Sequence, residues 1–328
     1  MEQRAEYNCE LRTANCEPTS RSDVAGCFPR IDLLRIACFL AAVMIVATLG
    51  LMLYEILSKA WPAINTFGWR FIIRSEWQPN RDLYGVFPMV IGTLTSSLIA
   101  LLLALPLGLA IAIFLSENFL PSSVRNAMRF IIDLLAAIPS VVYGLWGIFV
   151  IVPLIQKYGD MISHHWGSIP IFKGPAYGNS LLAASLVLTL MVLPTITSIS
   201  RAALVAVPMV LREGSYALGA TRWETIFHVL LPCAAQGIVA AAILGFGRAM
   251  GETMAVAMLI GNSQRWTLSL FSPSNTLSAL LANQFAEADG LQINALMYAA
   301  LLLIVMTLVI NLVGELVLKK TQKSFGSH

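Results

Sequence analysis

The chain alternates long apolar runs with shorter polar segments, and the runs are apolar on every side. Residues 36–57, 87–114, 127–154, 179–200, 235–260 and 294–318 each hold about twenty or more largely apolar residues, the length needed for a helix to cross the hydrocarbon core. The pattern predicts an all-α integral membrane protein with six transmembrane helices. Two long runs carry Pro106 and Pro139, and a helix should tilt or break where a backbone donor is missing. The organisation that follows is a flexible tail over 1–30, a first transmembrane helix over 31–60, a loop over 61–85, a transmembrane core over 86–318 and a C-terminal tail over 319–328.

The polar segments carry less information. Residues 58–86 contain Trp61, Trp69 and Trp77, the pattern of aromatic anchors at a membrane interface. His164, His165 and Trp166 fall in a segment read as a solvated loop over 155–178, since adjacent histidines diverge and make a poor metal site. The segment 261–293 is polar at first and then runs Leu277 to Ala286. That stretch is too short to span, so it predicts a short extracytoplasmic or re-entrant helix.

Composition supports a membrane protein. Hydrophobic residues make up 57% and charged residues 12%, against about 25% charged in soluble domains, and the mean hydropathy is +0.75. The net charge of +3 comes from basic residues at span ends that form no patch, which argues against a nucleic-acid partner. With the N-terminus inside, the inner segments hold thirteen Lys and Arg and the outer segments seven, Arg248 lying within a span. The positive-inside rule therefore predicts cytoplasmic termini. The first apolar run follows a polar tail and is long enough to span, so it reads as a signal anchor. Cys9, Cys16 and Cys27 in that tail lack zinc-pair spacing.

The fifth run raises the first functional question. Arg248 and Glu252 are the charged residues of the stretch Ala240 to Ile260. Charge at mid-bilayer costs about 2.5–3.5 kcal/mol per residue on insertion scales and usually marks a substrate path. At i, i+4 the two would share a helix face and neutralise each other. Gly247 and Gly251 form a small-xxx-small face for close approach by a backbone or an anion. The alternative is an ion pair that only locks two helices together.

Pro139 marks a second constellation. It removes a donor and disfavours helical geometry at Ile138, so the third span should break there. A half-helix beginning near Ser140 would present free N–H groups to an anion, although a packing kink accounts equally for the proline. Asp133 should pair with Arg129 at i, i+4 as a structural contact.

The segment from Glu213 to Pro232 carries a recognisable pattern. Glu213, Gly219, Leu231 and Pro232 fall at the offsets of the EAA loop, with Gly214 and Ser215 in place of its alanines and Val229 in place of its isoleucine. The segment thus resembles the EAA loop of ABC-importer permeases. Independently of that resemblance, two amphipathic stretches divided at Gly219, with Arg222, Trp223 and Phe227 outward, predict a stiff knuckle that a cytoplasmic partner can grip. An ordinary interfacial helix pair is the alternative.

Together with the Leu135-to-Gly147 run, Gly247 to Thr253, and Ser278 to Phe285, the EAA-like loop makes residues 31–318 similar to the permeases of phosphate ABC importers, of the type I (MetI-like) class. The resemblance implies a homologous permease partner, PstA, two copies of the ATPase PstB, the periplasmic phosphate-binding protein PstS, and participation in phosphate sensing through a histidine kinase. It implies a path through Arg248 and Glu252, to which the physical reading adds Pro139 and Ser140. It also implies ATPase coupling through Glu213, Gly219, Arg222, Trp223 and Phe227.

The chain has no Gly-Lys-Ser or Gly-Lys-Thr, no His-Glu-x-x-His and no Gly-x-Ser-x-Gly. The expectation is a non-catalytic subunit without cofactor or metal, in a bacterial inner membrane, with ATP hydrolysed elsewhere. Three alternatives are a permease for sulfate or molybdate, an ion-coupled secondary transporter using Glu252, and a non-transporting scaffold.

Overall fold

The computed structural model describes residues 29–325 except 118, 120, 167–174, 176, 266 and 268. The chain divides at Glu55–Ile56 into two compact units. The first is the leading part of α1 (Pro29–Phe67), a 39-residue helix. Beyond the boundary come α2 (Arg70–Ile73), α3 (Phe87–Ser116) and α4 (Ser122–Ala137). Helix α5 (Ser140–Trp146) continues through a π-turn, Gly147–Ile151, into α6 (Val152–Trp166).

Next are α7 (Leu181–Val205) and α8 (Met209–Ala217). Helix α9 (Arg222–Thr225) passes through a second π-turn, Ile226–Leu230, into α10 (Leu231–Gly251). The chain ends in α11 (Met254–Leu259), α12 (Leu277–Gln284) and α13 (Leu291–Phe325).

Among the described residues, six helical stretches are long and apolar enough to cross a membrane: Arg35–Phe67, Phe87–Ser116, Ser140–Met161, Leu181–Val205, Arg222–Gly251 and Leu291–Lys320. Four agree with the sequence reading to within several residues at most ends. The third lies further along the chain than 127–154, because Ile138 and Pro139 are both extended (ψ 128° and 142°) and α4 is a separate helix. The fifth starts earlier than residue 235 and stops at Gly251. Helix also continues through Trp61 to Phe67 and through the 155–166 stretch, both read as loop. The side chains of His164, His165 and Trp166, and the tail with Cys9, Cys16 and Cys27, lie outside the described residues.

Packing within the second unit follows low-dielectric rules. Hydroxyls on α3 are satisfied by its own carbonyls: Thr93 donates to Met89 O at 2.7 Å and Ser97 to Thr93 O at 2.6 Å, as a bilayer-spanning helix requires. Small residues set the helix separations. A Cβ on Gly108 would lie 2.9 Å from Ile196, and one on Gly237 would lie 2.2 Å from the Ala203 Cβ. Such close approach lets dispersion hold helices together where no hydrophobic driving force exists.

The three tryptophans do not share one role. Trp69 is 83% exposed and Trp61 is also exposed, but Trp77 is 2% exposed. Its Nε1 donates to Gln284 Oε1 at 2.6 Å, and its ring meets Tyr84 edge-on at 5.0 Å. Phe71 stacks on Tyr298 at 4.4 Å beside them. Burial and the neighbouring Asp82 push the Tyr84 hydroxyl above its ordinary pKa. The loop before α3 is thus folded onto α12 and α13 as a small core of its own, which corrects the reading of Trp77 as an interface anchor.

Candidate functional site: two facing helix breaks and a knuckle

The break at Pro139 has a local solution. Proline cannot give Leu135 O its usual helical donor, and the Tyr143 hydroxyl donates to that carbonyl at 2.9 Å. Pro139 is exposed and Ser140, the first residue of α5, is half-buried.

A second break follows Gly251. Glu252 is extended (ψ 126°) and caps α10, so the chain resumes helix only at Met254. Its carbonyl accepts from the Ser278 hydroxyl of α12 at 2.9 Å, and Leu277 N donates to Thr93 Oγ1 at 3.0 Å. Helix α12 therefore plugs between α3 and the break, as a short helix too brief to span can do. The two interruptions face each other, for a Cβ on Gly144 would lie 3.2 Å from Ala255 Cα and 2.8 Å from Met258 Sδ.

Arg248 belongs to this junction. Its Nη1 donates to Thr195 Oγ1 on α7 at 3.1 Å, the residue is exposed, and it lies within electrostatic reach of Tyr143. Among the described residues no ion pair joins Arg248 to Glu252. The expected i, i+4 pair fails because the helix ends at Gly251, so Glu252 no longer shares its face. Nor do Gly247 and Gly251 form one close-contact face: a Cβ on Gly247 would meet Asn311 Oδ1 at 3.3 Å, and one on Gly251 would meet nothing within 4 Å. Gly245, whose Cβ would lie 2.8 Å from Val192, is the close-approach glycine here. The Arg129–Asp133 pair is also absent, since Arg129 reaches Leu115 O at 3.5 Å and Asp133 is exposed.

The knuckle spans 209–230. Gly219 turns the chain at φ +85° with nothing within 4 Å of a Cβ, so glycine is required there by backbone conformation and not by crowding. Thr221 and Glu224 then form a capping box that starts α9. Glu213, Arg222, Trp223 and Phe227 are exposed. Trp223 stacks between Phe119 (5.4 Å) and Phe227 (6.1 Å), and Arg222 lies over Phe119 at 6.0 Å.

Sequence reasoning missed the clamp beneath the knuckle. Arg212 Nη1 pairs with Glu117 Oε1 at 2.6 Å, both side chains being 12% exposed, and Arg212 Nη2 donates to Leu204 O at 2.8 Å. One guanidinium thus ties α8 to the ends of α3 and α7. Ser215 and Thr225 add a hydroxyl bridge of 2.9 Å across the turn. At the opposite end of the bundle, Glu76, Gln78, Asn262 and Arg265 line part of a cavity of about 870 Å³.

Residues 104–325 match the family described as binding-protein-dependent transport system inner membrane component. A phosphate transport system permease protein PstC of Haemophilus influenzae is 40% identical over 292 residues, covering 88% of this chain and 92% of that protein. Its counterpart in Mesorhizobium japonicum is 39% identical over 88% of this chain and 89% of its own length. In fold, the chain is similar to a component of a bacterial alginate ABC transporter crystallised with an alginate-bound periplasmic protein, with a TM-score of 0.61 at 18% identity over 87% of this chain and 93% of that one. The chain belongs to the family of inner membrane components of binding-protein-dependent transport systems, with PstC permeases among its relatives.

Proposed function

We propose that this chain is a permease subunit of an ATP-driven importer of inorganic phosphate and forms half of the path with a homologous permease. The observation that carries the reading is Arg248: a guanidinium exposed at two facing helix breaks, bonded to Thr195 and not neutralised by Glu252. A planar fork of donors suits a tetrahedral oxyanion, and broken helices are a recurring way to build a transport site. Ser140 and Pro139, at the start of the half-helix, contribute backbone donors and shape to the same path. Glu252 adds a negative charge near the path, which weakens retention so that the anion is released.

The knuckle is the coupling element. Glu213, Gly219, Arg222, Trp223 and Phe227 face the ATPase, and the Arg212 clamp carries its displacement to α3 and α7. The subunit performs no chemistry itself. The knuckle end and both termini are cytoplasmic, as the basic-residue distribution favours. The partners fitting this reading are the permease PstA, two copies of the ATPase PstB, and the periplasmic PstS docking on the end that carries Glu76 and Arg265, with a phosphate-sensing histidine kinase as a further contact. The core over 86–318 is the transport unit, and the tails lie outside it.

The test is uptake of labelled phosphate by vesicles holding the assembled complex, with and without ATP, competed by sulfate and molybdate. ATP-dependent uptake blocked by phosphate and arsenate but not by sulfate is the expected outcome. Uptake driven by a proton gradient without ATP, or blocked by sulfate at equal concentration, overturns the reading.

A further inference from the structure

Helix α13 carries a polar face to which the path described above gives no part. Between Ala299 and Gly314 its polar side chains are Thr307 and Asn311, and Glu315 follows four residues later. Successive i, i+4 steps put the three on one side of the helix. Thr307 is satisfied by its own helix, donating to Ile304 O at 2.8 Å, and Glu315 pairs with Lys319 at 2.8 Å. Asn311 is exposed and makes no hydrogen bond among the described residues.

The packing of α13 on α10 sets that amide beside the turn that carries Arg248. A Cβ on Gly314 would lie 2.8 Å from Ile243, and one on Gly247 would lie 3.3 Å from Asn311 Oδ1, so the two helices run antiparallel in this register. Gly247 thus leaves the amide its room, one residue before Arg248. One turn further on, Gly251 has nothing within 4 Å of a Cβ, and the space there is open. Another side of the same seam differs in kind: Leu101, Ile243, Phe246, Ile310 and Val313 line part of an apolar cavity of about 390 Å³.

A carboxamide in hydrocarbon forfeits its hydrogen bonds to water at a cost no lipid tail repays. Asn311 lies about 6 Å along the axis from Glu315, at 1.5 Å per residue, on the membrane side of the Glu315–Lys319 pair. An amide there calls for water and a passing solute, and the unneutralised guanidinium on the next residue of α10 makes that solute an anion. Resting on the transport reading above, we infer that α13 lines the path with its Thr307, Asn311 and Glu315 face, and that Asn311 is the group an oxyanion meets after Arg248 on its way to the Glu315 end. The amide offers N–H donors without charge, so it hands the anion on without holding it.

The assembled complex, with its cysteines replaced by alanine, is placed in nanodiscs and carries either Asn311→Cys or Val313→Cys. Anionic sulfonatoethyl methanethiosulfonate, which reacts with thiols in contact with water, is expected to label Asn311→Cys about tenfold or more faster than Val313→Cys. In proteoliposomes the labelled Asn311→Cys complex should lose ATP-dependent phosphate uptake. Labelling at equal rates, or a labelled complex that transports like its unlabelled form, overturns the assignment. Asn311→Leu should assemble in normal yield with uptake reduced by about tenfold, and Asn311→Gln should restore part of it. A loss of assembly in Asn311→Leu that Asn311→Gln repairs also overturns the assignment, since the amide would then be a bond to a neighbouring subunit. The labelling contrast requires no substrate, so it stands or falls separately from the choice of phosphate as the transported anion.

Discussion

The knuckle and the paired helix breaks are both interruptions of helical chain, yet their polar groups are treated in opposite ways. In the knuckle each turn is closed: Thr221 and Glu224 cap one another, Ser215 meets Thr225, and Arg212 is bound to Glu117 and Leu204 O. At the breaks the backbone is secured by Tyr143 and Ser278, but Arg248 keeps one hydrogen bond to a hydroxyl and Glu252 makes no ion pair. A segment that transmits displacement must not yield, whereas a segment that passes an anion must keep donors to spare. The difference accords with the two roles proposed for them.

The sharpest way to break this contrast is to loosen the closed side. Arg212→Met leaves the Glu117 carboxylate half of a buried pair alone, a change that costs about 3–5 kcal/mol in buried settings. A marked fall in the thermal midpoint and in yield of the complex is expected, with Arg212→Met/Glu117→Leu recovering much of both. A single variant as stable as the parent would show that the clamp carries no load.

The open side should respond in activity and not in assembly. Because Arg248 and Glu252 are not paired in the structure, Arg248→Met alone should assemble as well as Arg248→Met with Glu252→Leu. Both should lose phosphate uptake, and Arg248→Lys should fall by roughly one to two orders of magnitude, the worth of charge-assisted hydrogen bonds at about 1.5–3 kcal/mol. Complex yield and labelled uptake are measured in the same membranes. If the double variant alone regains yield and uptake, the residues are a structural pair.

The smallest effect is expected at the tip. Gly219→Val meets no neighbour, so its cost is backbone strain alone, about 1–3 kcal/mol for a bulky residue in the left-handed region. Membrane insertion should be normal and copurification of the ATPase weakened. Retention of the ATPase at normal stoichiometry together with full uptake would remove Gly219 from the coupling surface.

What the chain declares in advance depends on whether the cause is local. The break at Pro139 is legible because a missing N–H acts within one turn, and the Gly219 turn because glycine alone accepts φ +85° readily. The break at Glu252 is not, since what holds it is a hydroxyl on Ser278, 26 residues further on. The expected Arg248–Glu252 pair failed with it: i, i+4 spacing pairs side chains only while the helix continues. Trp77 shows the same limit. It looks like an interface aromatic until Gln284, 207 positions away, takes its N–H. Span number survives these errors because it depends on hydropathy over about twenty residues, which no single contact can change.

The clamp beneath the knuckle also has an order in time. Glu117 precedes Arg212 by 95 residues, and the chain between them contains α4 to α7. During synthesis the carboxylate therefore emerges long before its partner, and the two can close only once the helices between them have been threaded. A nascent chain halted before Arg212 holds spans without a finished knuckle, so the clamp is completed after the neighbouring spans are made and not along with them.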